Sequence, residues 1–260
     1  MHRSLSYIDP QAKLAKNVVV GPFVTIEKNV EIGSGTWIGS NVTIMDGARI
    51  GKNCEIFPGA VISAIPQDKK FDGEESLVII KDNTIIRECA TINRATQATG
   101  KTIVGENCLI MAYAHIAHDC IIGNNSIIVN NVALGGHVEI GEYAIIGGLT
   151  AIHQFVKIGK HSIVSGGSLV RKDVPPYLKA GREPLSFVGI NSIGLRRRKF
   201  TDKEIKEIQE IYRVLYQNNN NNTQAINKIE IDFNVSIIRD EIIDFIKKSV
   251  RGIMRGYNQK

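Results

Sequence analysis

Ile8, Leu14, Val20, Ile26, Ile32, Ile38, Ile44, Ile50, Ile56 and Ile62 stand six residues apart without a slip. The phase returns at Ile80, Ile86 and Ile92. It then runs in steps of six from Val104 through Ile110, Ile116, Ile122, Ile128, Leu134, Ile140, Ile146, Ile152, Ile158 and Val164 to Val170, 25 hexads in all. A second, generally smaller residue follows four places after each of the first nine, as at Val30, Thr36, Ala48 and Cys54. A helix repeats its apolar stripe every 3.6 residues, so a period of six excludes one. Short strands joined by tight corners fit it, three hexads to a turn, with the aliphatic residues inside a triangular prism. Glycine follows the aliphatic residue at Gly21, Gly33, Gly39 and Gly51, and is expected to serve the corners by accepting positive φ without a Cβ penalty. About eight coils, stacked at ~4.8 Å per strand, make a prism roughly 40 Å long. Each coil buries its face only against its neighbours, so the array is a solenoid. The spacing does not fix its hand, and the usual crossover rule favours the right hand.

Two segments leave the repeat, 63–79 and 95–103. Both are polar and carry Pro or Gly, so they should loop out of the prism. Loops ejected from a rigid scaffold often carry function, and the first holds Gln67, Asp68 and Lys70 close together. The repeat region is expected to occupy residues 1–190, with a C-terminal α-helical domain over 191–260. The Pro175–Pro176 pair should end strand pairing. Thr201 with Glu204 reads as a capping box, and Ile205, Ile208, Tyr212 and Leu215 form a helical stripe. Asn218–Asn222 reads as a low-complexity loop. Further helices are expected near 223–230 and 236–250, the latter with Ile238, Ile242, Phe245 and Ile246 on one face.

Composition narrows the class. Aromatics are only 6% and there are 24 glycines, which suits thin layers better than a bulky core. No apolar run approaches the ~18–20 residues of a membrane span. The first residues lack the apolar stretch of a secretory signal, so a cytoplasmic protein without stable membrane insertion is expected. Cys54, Cys89, Cys108 and Cys120 form no CxxC pair. They are read as reduced, three of them filling the small inward slot. Residues 171–199 hold eight Lys/Arg against two acids, a net +6 that equals the excess of the whole chain. An acidic partner suits such a patch. Nucleic acid does not, because no aromatic interleaving or recognition helix accompanies it.

His115, His118, His137 and His153 all fall outside the two inward slots of the hexad, so none is a core histidine. One coil is 18 residues, which sets Asp119 under His137 and His118 under Gly136. An imidazole, a carboxylate and a peptide N–H beside glycine then share one outer edge. Such a set can run acyl transfer. The imidazole takes a proton from a hydroxyl, the carboxylate orients the imidazole, and the glycine N–H donates to the developing oxyanion.

The chain is similar to the UDP-N-acetylglucosamine O-acyltransferases of lipid A biosynthesis, within the hexapeptide-repeat acyltransferase superfamily. The pieces that carry the likeness are IPQDKKF (65–71), AHIAHDC (114–120), LGGHV (134–138), IIGGLTAIHQF (145–155), DVPPY (173–177) and GINSIGLRRR (189–198). The resemblance implies a left-handed parallel β-helix and a homotrimer with sites between subunits. It implies that His118 is the general base, Asp119 the acid supporting it and Gly136 the oxyanion donor. It further implies substrate contacts at Asp68, Lys70, His115, His137 and His153, and a nucleotide segment at Asn191, Arg197 and Arg198. Gly166 matches a position where side-chain size limits acyl length. The implied reaction moves a (3R)-3-hydroxyacyl chain from acyl carrier protein to UDP-N-acetylglucosamine, with no metal and no cofactor. Acyl carrier protein is acidic, which matches the basic patch.

Two positions depart from the family pattern. Asn93 stands where a histidine is common, and asparagine can hydrogen bond but not carry charge. That leaves open whether the acceptor presents a 3-hydroxyl or a 3-amino group. Ile193 stands where an acid contacts the nucleotide, so no role is carried to it. Three rival readings compete. Zinc on His115, His118 and His137, as in hexapeptide-repeat carbonic anhydrases, fits poorly with Asp119 beside His118. An N-acyltransferase is a weaker likeness. A purely structural solenoid needs no outward His-Asp-Gly cluster.

Overall fold

The computed structural model describes residues 5–217 and 221–256. Twenty-five short strands run from β1 (Tyr7–Ile8) to β25 (Leu169–Val170), and every one of the 25 aliphatic anchors lies in one of them. They form three parallel sheets, here called A, B and C. Sheet A holds the first, fourth and seventh strands and so on, and sheets B and C take the next two of each triplet. Each coil therefore passes A, B and C in turn. Partners are 18 residues apart, as in Ile116↔Leu134 and Ile122↔Ile140. The looped segments break that count. Ile62 pairs with Ile92, thirty places on, and Val78 with Thr102, twenty-four places on. The extra residues are pushed out and the register resumes.

Ile26, Ile38, Ile44, Ile56, Ile62, Ile92, Ile110 and Ile116 are wholly buried on the prism axis. Burying each is worth roughly 1.5–3 kcal/mol. Cys54, Cys108 and Cys120 are free thiols buried in the small slot. Burial pushes all three thiols up, Cys120 to about 12, so they behave as inert small hydrophobes.

The glycines after the aliphatic anchors do a different job from the one expected. Gly21, Gly33, Gly39 and Gly51 do not sit at positive φ. A Cβ on Gly33 would lie 2.7 Å from Gly51 backbone atoms, and one on Gly51 2.7 Å from the Asp82 nitrogen. These glycines let successive coils stack. The left-handed residue comes two places later, and it is often Asn, as at Asn41, Asn53, Asn83, Asn107, Asn125 and Asn131. Asparagine tolerates that region because its short side chain bonds locally. Asp119 (φ 61°), His137 (60°) and Phe155 (65°) hold the same conformation at three successive levels of the corner between sheets A and B. Positive φ on such side chains costs energy, and such strain clusters at functional sites.

Pro175–Pro176 does not end the pairing. The chain returns as β26 (Leu178–Gly181), parallel to β24 (Ile163–Val164), and folds back as β27 (Ser186–Ile190), extending sheet C to ten strands. The prolines pass over the prism end, and Pro176 O accepts from Tyr212 Oη at 2.6 Å. Among the described residues four helices follow, α1 (Ser192–Arg197), α2 (Asp202–Gln217), α3 (Asn222–Asp232) and α4 (Ile237–Lys247). The Thr201–Glu204 capping box is formed in both directions, at 2.7 and 3.2 Å. Ile205, Ile208, Tyr212 and Leu215 are buried along α2, and Ile238, Ile242 and Ile246 along α4. Of the Asn-rich run, residues 218–220 lie outside the described residues. Asn221 caps α3 through Gln224. The helix α1 was not expected.

A stack of rings at the corner between sheets B and C seats this C-terminal part. His161 lies between Tyr143 (5.0 Å between centroids) and Tyr177 (5.7 Å), edge-on to Phe200. Its Nδ1 is buried with no partner among the described residues. Burial, then Arg198 and Lys160, push its pKa down to about 4. The unfolded chain takes up that proton near the ordinary imidazole value, whereas the folded chain does not until about pH 4. Stability present above pH ~6.5 is therefore lost as the pH falls toward 4, by at most about 3 kcal/mol. Denaturant midpoints of wild type and His161→Phe at pH 7.5, 5.5 and 4.5 check this. The wild type should lose more than the variant, and parallel losses would refute it.

Candidate active site

The corner between sheets A and B carries the motif AHIAHDC. β16 (His115–Ile116) lies in sheet A, and the chain turns through residues 117–120 into sheet B. Ile116 and Cys120 face the core, so the turn's direction is set by the hexad and His118 is thrown outward. One coil on, Gly136 and His137 occupy the same turn, and the His137 N–H donates to His118 O at 3.0 Å. The 18-residue stacking expected from the spacing is what the register gives.

His118 Nδ1 bonds Asp119 Oδ2 at 2.7 Å. The Asp119 side chain is wholly covered and that of His118 is 12% exposed. The carboxylate does not share an open edge with the imidazole, as its phase suggested. Segment 95–103 lies over it. Thr96 donates to Oδ2 through its hydroxyl at 2.8 Å and its N–H at 3.2 Å, and the Thr99 hydroxyl donates to Oδ1. Burial alone would raise this carboxyl, but the bonds from Thr99, His118 and Thr96 outweigh it and hold it below the ordinary Asp value. An Nδ1–H of His118 is placed to donate to this carboxylate, and the other ring nitrogen, Nε2, has no protein partner among the described residues. The hexad gave no hint of this cover. Its signal was the spacing of Thr96, Thr99 and Thr102, three apart in ATQATGKT.

Gly136 lies beneath the imidazole. A Cβ there would fall 2.5 Å from His118 Cε1 and 2.7 Å from Nε2. Its N–H donates no hydrogen bond among the described residues. His137 crosses His118 edge-on at 5.3 Å and stacks on Phe155 at 4.5 Å. Its Nε2 is 3.7 Å from Asp119 Oδ2, too long for a hydrogen bond. His115 Nδ1 lies 2.8 Å from Thr91 Oγ1. Burial, then the nearby His118, hold its pKa below the ordinary imidazole value. His153 stands further up the same corner, exposed, with Nδ1 3.1 Å from Gln154 O.

Ligand atoms of His118, Asp119 and His137 lie within 4.8 Å of one another. His115 is not among them. The carboxylate already takes four donors, so the group reads as a hydrogen-bonded dyad with a neighbour rather than a vacant ligand set.

The other candidate residues lie apart from this turn. Asn93, 3% exposed, donates to Ala64 O and Ile65 O and pins the start of the first looped segment. Its Oδ1 is buried without a partner among the described residues. Asp68 Oδ1 accepts from the Lys70 N–H at 3.0 Å within that segment. Gly166 is exposed at the opposite margin of sheet A, above Gly148, whose oxygen would be 3.0 Å from an added Cβ. Asn191 is buried and fully engaged. It caps α1 through Gly194 N and donates to His161 O at 2.8 Å. Arg197 is exposed on α1, and Arg198 covers the Tyr143 ring at 4.9 Å. These three sit at the corner between sheets B and C, with sheet B between them and His118.

Known proteins resemble this chain along most of its length. The profile of the family described as UDP N-acetylglucosamine O-acyltransferase, domain 2, matches residues 173–254. That of bacterial transferase hexapeptide repeats matches 29–64 and 101–136. The chain is 58% identical to the acyl-[acyl-carrier-protein]–UDP-N-acetylglucosamine O-acyltransferase of Chlorobium phaeobacteroides, over 96% of each chain. It is 52% identical to the one from Trichlorobacter lovleyi, over 96% of this chain and 97% of the relative. The solved UDP-N-acetylglucosamine acyltransferase of Bacteroides fragilis superposes with a TM-score of 0.95 at 48% identity, over 96% of this chain and 98% of that one. The fold is thus the left-handed parallel β-helix of hexapeptide repeats, followed by helices. With its repeat, its corner dyad and these relatives taken together, the chain belongs to the UDP-N-acetylglucosamine O-acyltransferase family.

Proposed function

We propose that this protein moves a (3R)-3-hydroxyacyl chain from acyl carrier protein to the 3-hydroxyl of UDP-N-acetylglucosamine, the opening step of lipid A assembly. The observation that carries this reading is the His118–Asp119 bond of 2.7 Å beside the unengaged N–H of Gly136. His118 Nε2 takes the proton of the sugar hydroxyl, whose oxygen attacks the thioester carbonyl. The Gly136 N–H donates to the tetrahedral oxyanion. The carbon–sulfur bond then breaks, and His118 returns the proton to the leaving carrier thiolate. Asp119 steadies the imidazolium between those steps.

His115, His137 and His153 line the acceptor side of this corner, and Asp68, Lys70 and Asn93 its lower margin. Gly166 leaves room for the acyl chain. Arg197 and Arg198 suit the diphosphate, since a guanidinium fork pairs with phosphate oxygens, and Asn191 serves by seating α1. His118 and Arg198 occupy different corners of one prism, which supports a homotrimer whose sites are closed by a neighbouring subunit. The exposed Arg171, Lys172, Arg196 and Lys199 suit an acidic carrier protein. A carrier-protein donor supports a cytoplasmic setting. Among the described residues no helix is long and apolar enough to cross a membrane.

The test is an assay of the purified protein with UDP-N-acetylglucosamine and its 3-amino analogue against a ladder of 3-hydroxyacyl carrier proteins. Asparagine at position 93, where the family commonly has histidine, leaves the acceptor group open, so both belong in the assay. O-acylated UDP-N-acetylglucosamine is expected. Its absence with every donor would defeat the proposal.

A further inference from the structure

We infer that the looped segment 95–103 is a clamp on the catalytic dyad, in which Thr96 and Thr99 are positioning residues that aim the Asp119 carboxylate at His118. This rests on the reading of His118 as the base.

The segment is built for the purpose. Six residues are added to the coil between Val78 and Thr102, which pair twenty-four places apart. The Gly100 N–H closes a turn onto Thr96 O at 2.9 Å. The Ala98 N–H donates into Thr96 Oγ1 at 3.2 Å, which leaves that hydroxyl's own proton for Asp119 Oδ2. Thr102, wholly buried, accepts from the Asp119 N–H at 2.8 Å. Both the backbone and the carboxylate of Asp119 are thus held by one short segment.

Geometry explains why a clamp is needed. Asp119 sits at φ 61° in a corner, and no carboxylate atom reaches solvent. His118 supplies one donor. With that donor alone the anion would be under-solvated, and a buried carboxylate short of donors takes a proton more readily. The Thr96 N–H adds a second, and the hydroxyls of Thr96 and Thr99 supply the other two. Remove them and the dyad as a unit binds its proton more tightly. The base would then be occupied at a pH where it should be free. The titratable groups facing the dyad are His137, His115 and, behind the turn, Cys120.

Thr99→Val keeps the side-chain shape and removes only the hydroxyl. It is expected to lower kcat about tenfold with both KM values within about twofold, as for loss of one hydrogen bond to a charged group. The acid limb of kcat/KM should move up by about one pH unit. Thr96→Val with Thr99→Val should lower kcat about a hundredfold. Thr99→Ser, which keeps the donor, should restore kcat and the limb. Thermal midpoints of all the variants report on folding separately. In a His118→Ala background, Thr99→Val should leave the residual rate unchanged, because the clamp acts only through His118. Should His118→Ala itself keep near wild-type rates, the base assignment fails, whatever Thr99 does. The clamp is overturned if Thr99→Val leaves kcat and the limb unchanged. It is equally overturned if Thr99→Ser is as slow as Thr99→Val with no movement of the limb, since that is the mark of packing alone.

Discussion

Replacing His118 with alanine is expected to lower kcat for acyl transfer by roughly 10²–10⁴-fold with the fold intact. The fold should survive because Ile116 and Cys120 hold this turn from inside the prism. The imidazole lies outside the core and its loss opens no internal cavity. Asp119 would keep its donors from Thr96 and Thr99, so no buried anion is orphaned. What disappears is the imidazole bonded to Asp119, the group placed to take a proton while that carboxylate stabilises the product of the transfer. Rates from the oxyanion donor and from binding alone would remain. Steady-state kinetics beside a thermal melt measure this. A variant within a few-fold of wild type would show that the proton goes elsewhere.

Gly136→Ala should be nearly as damaging to turnover while costing little stability. The added methyl would meet His118 at 2.5 and 2.7 Å, ring atoms at the far end of a side chain that can swing away. Gly136 is not held at positive φ. The backbone therefore tolerates alanine, but the imidazole must leave its bond to Asp119 or block the approach to the N–H. A displacement near 1 Å at a reacting centre can cost about 10²-fold. Gly159→Ala gives the contrast. Its methyl would strike the Pro176 nitrogen at 2.3 Å, so stability should fall at a site remote from His118. Kinetics and denaturant midpoints of the two variants separate the effects. Gly136→Ala with unchanged kcat would mean that the ring's position above that glycine is immaterial.

The hexad spacing made most of the architecture legible. It set the strands and the inward slots, and modulo 18 it set which corner each outward residue occupies. His137 and His161 have the same hexad phase, three after Leu134 and Ile158. They are 24 residues apart rather than a multiple of 18, so one joins His118 and the other stacks with Tyr143 at a different corner. The anchor-following glycines were misread because a period reports that glycine is needed, not whether φ or a neighbouring coil demands it. The cover over Asp119 was not legible in the hexad, because an ejected loop's path is set by its own hydrogen bonds and not by the repeat; only the threonine spacing within 95–103 pointed to it. The Pro pair misled for a related reason. It interrupts donors locally, yet sheet C offered Leu178–Gly181 an open edge on the far side.

The central claim is that His118, held by Asp119, is the proton acceptor in acyl transfer. The pH dependence of single-turnover transfer by wild type and His118→Ala, at saturating 3-hydroxyacyl carrier protein and UDP-N-acetylglucosamine, tests it most directly. The account predicts a wild-type rate with an acid limb of slope one, set by one proton-accepting group, and that this limb vanishes from the residual rate of the variant. The same limb in both proteins, or none in wild type, would contradict it.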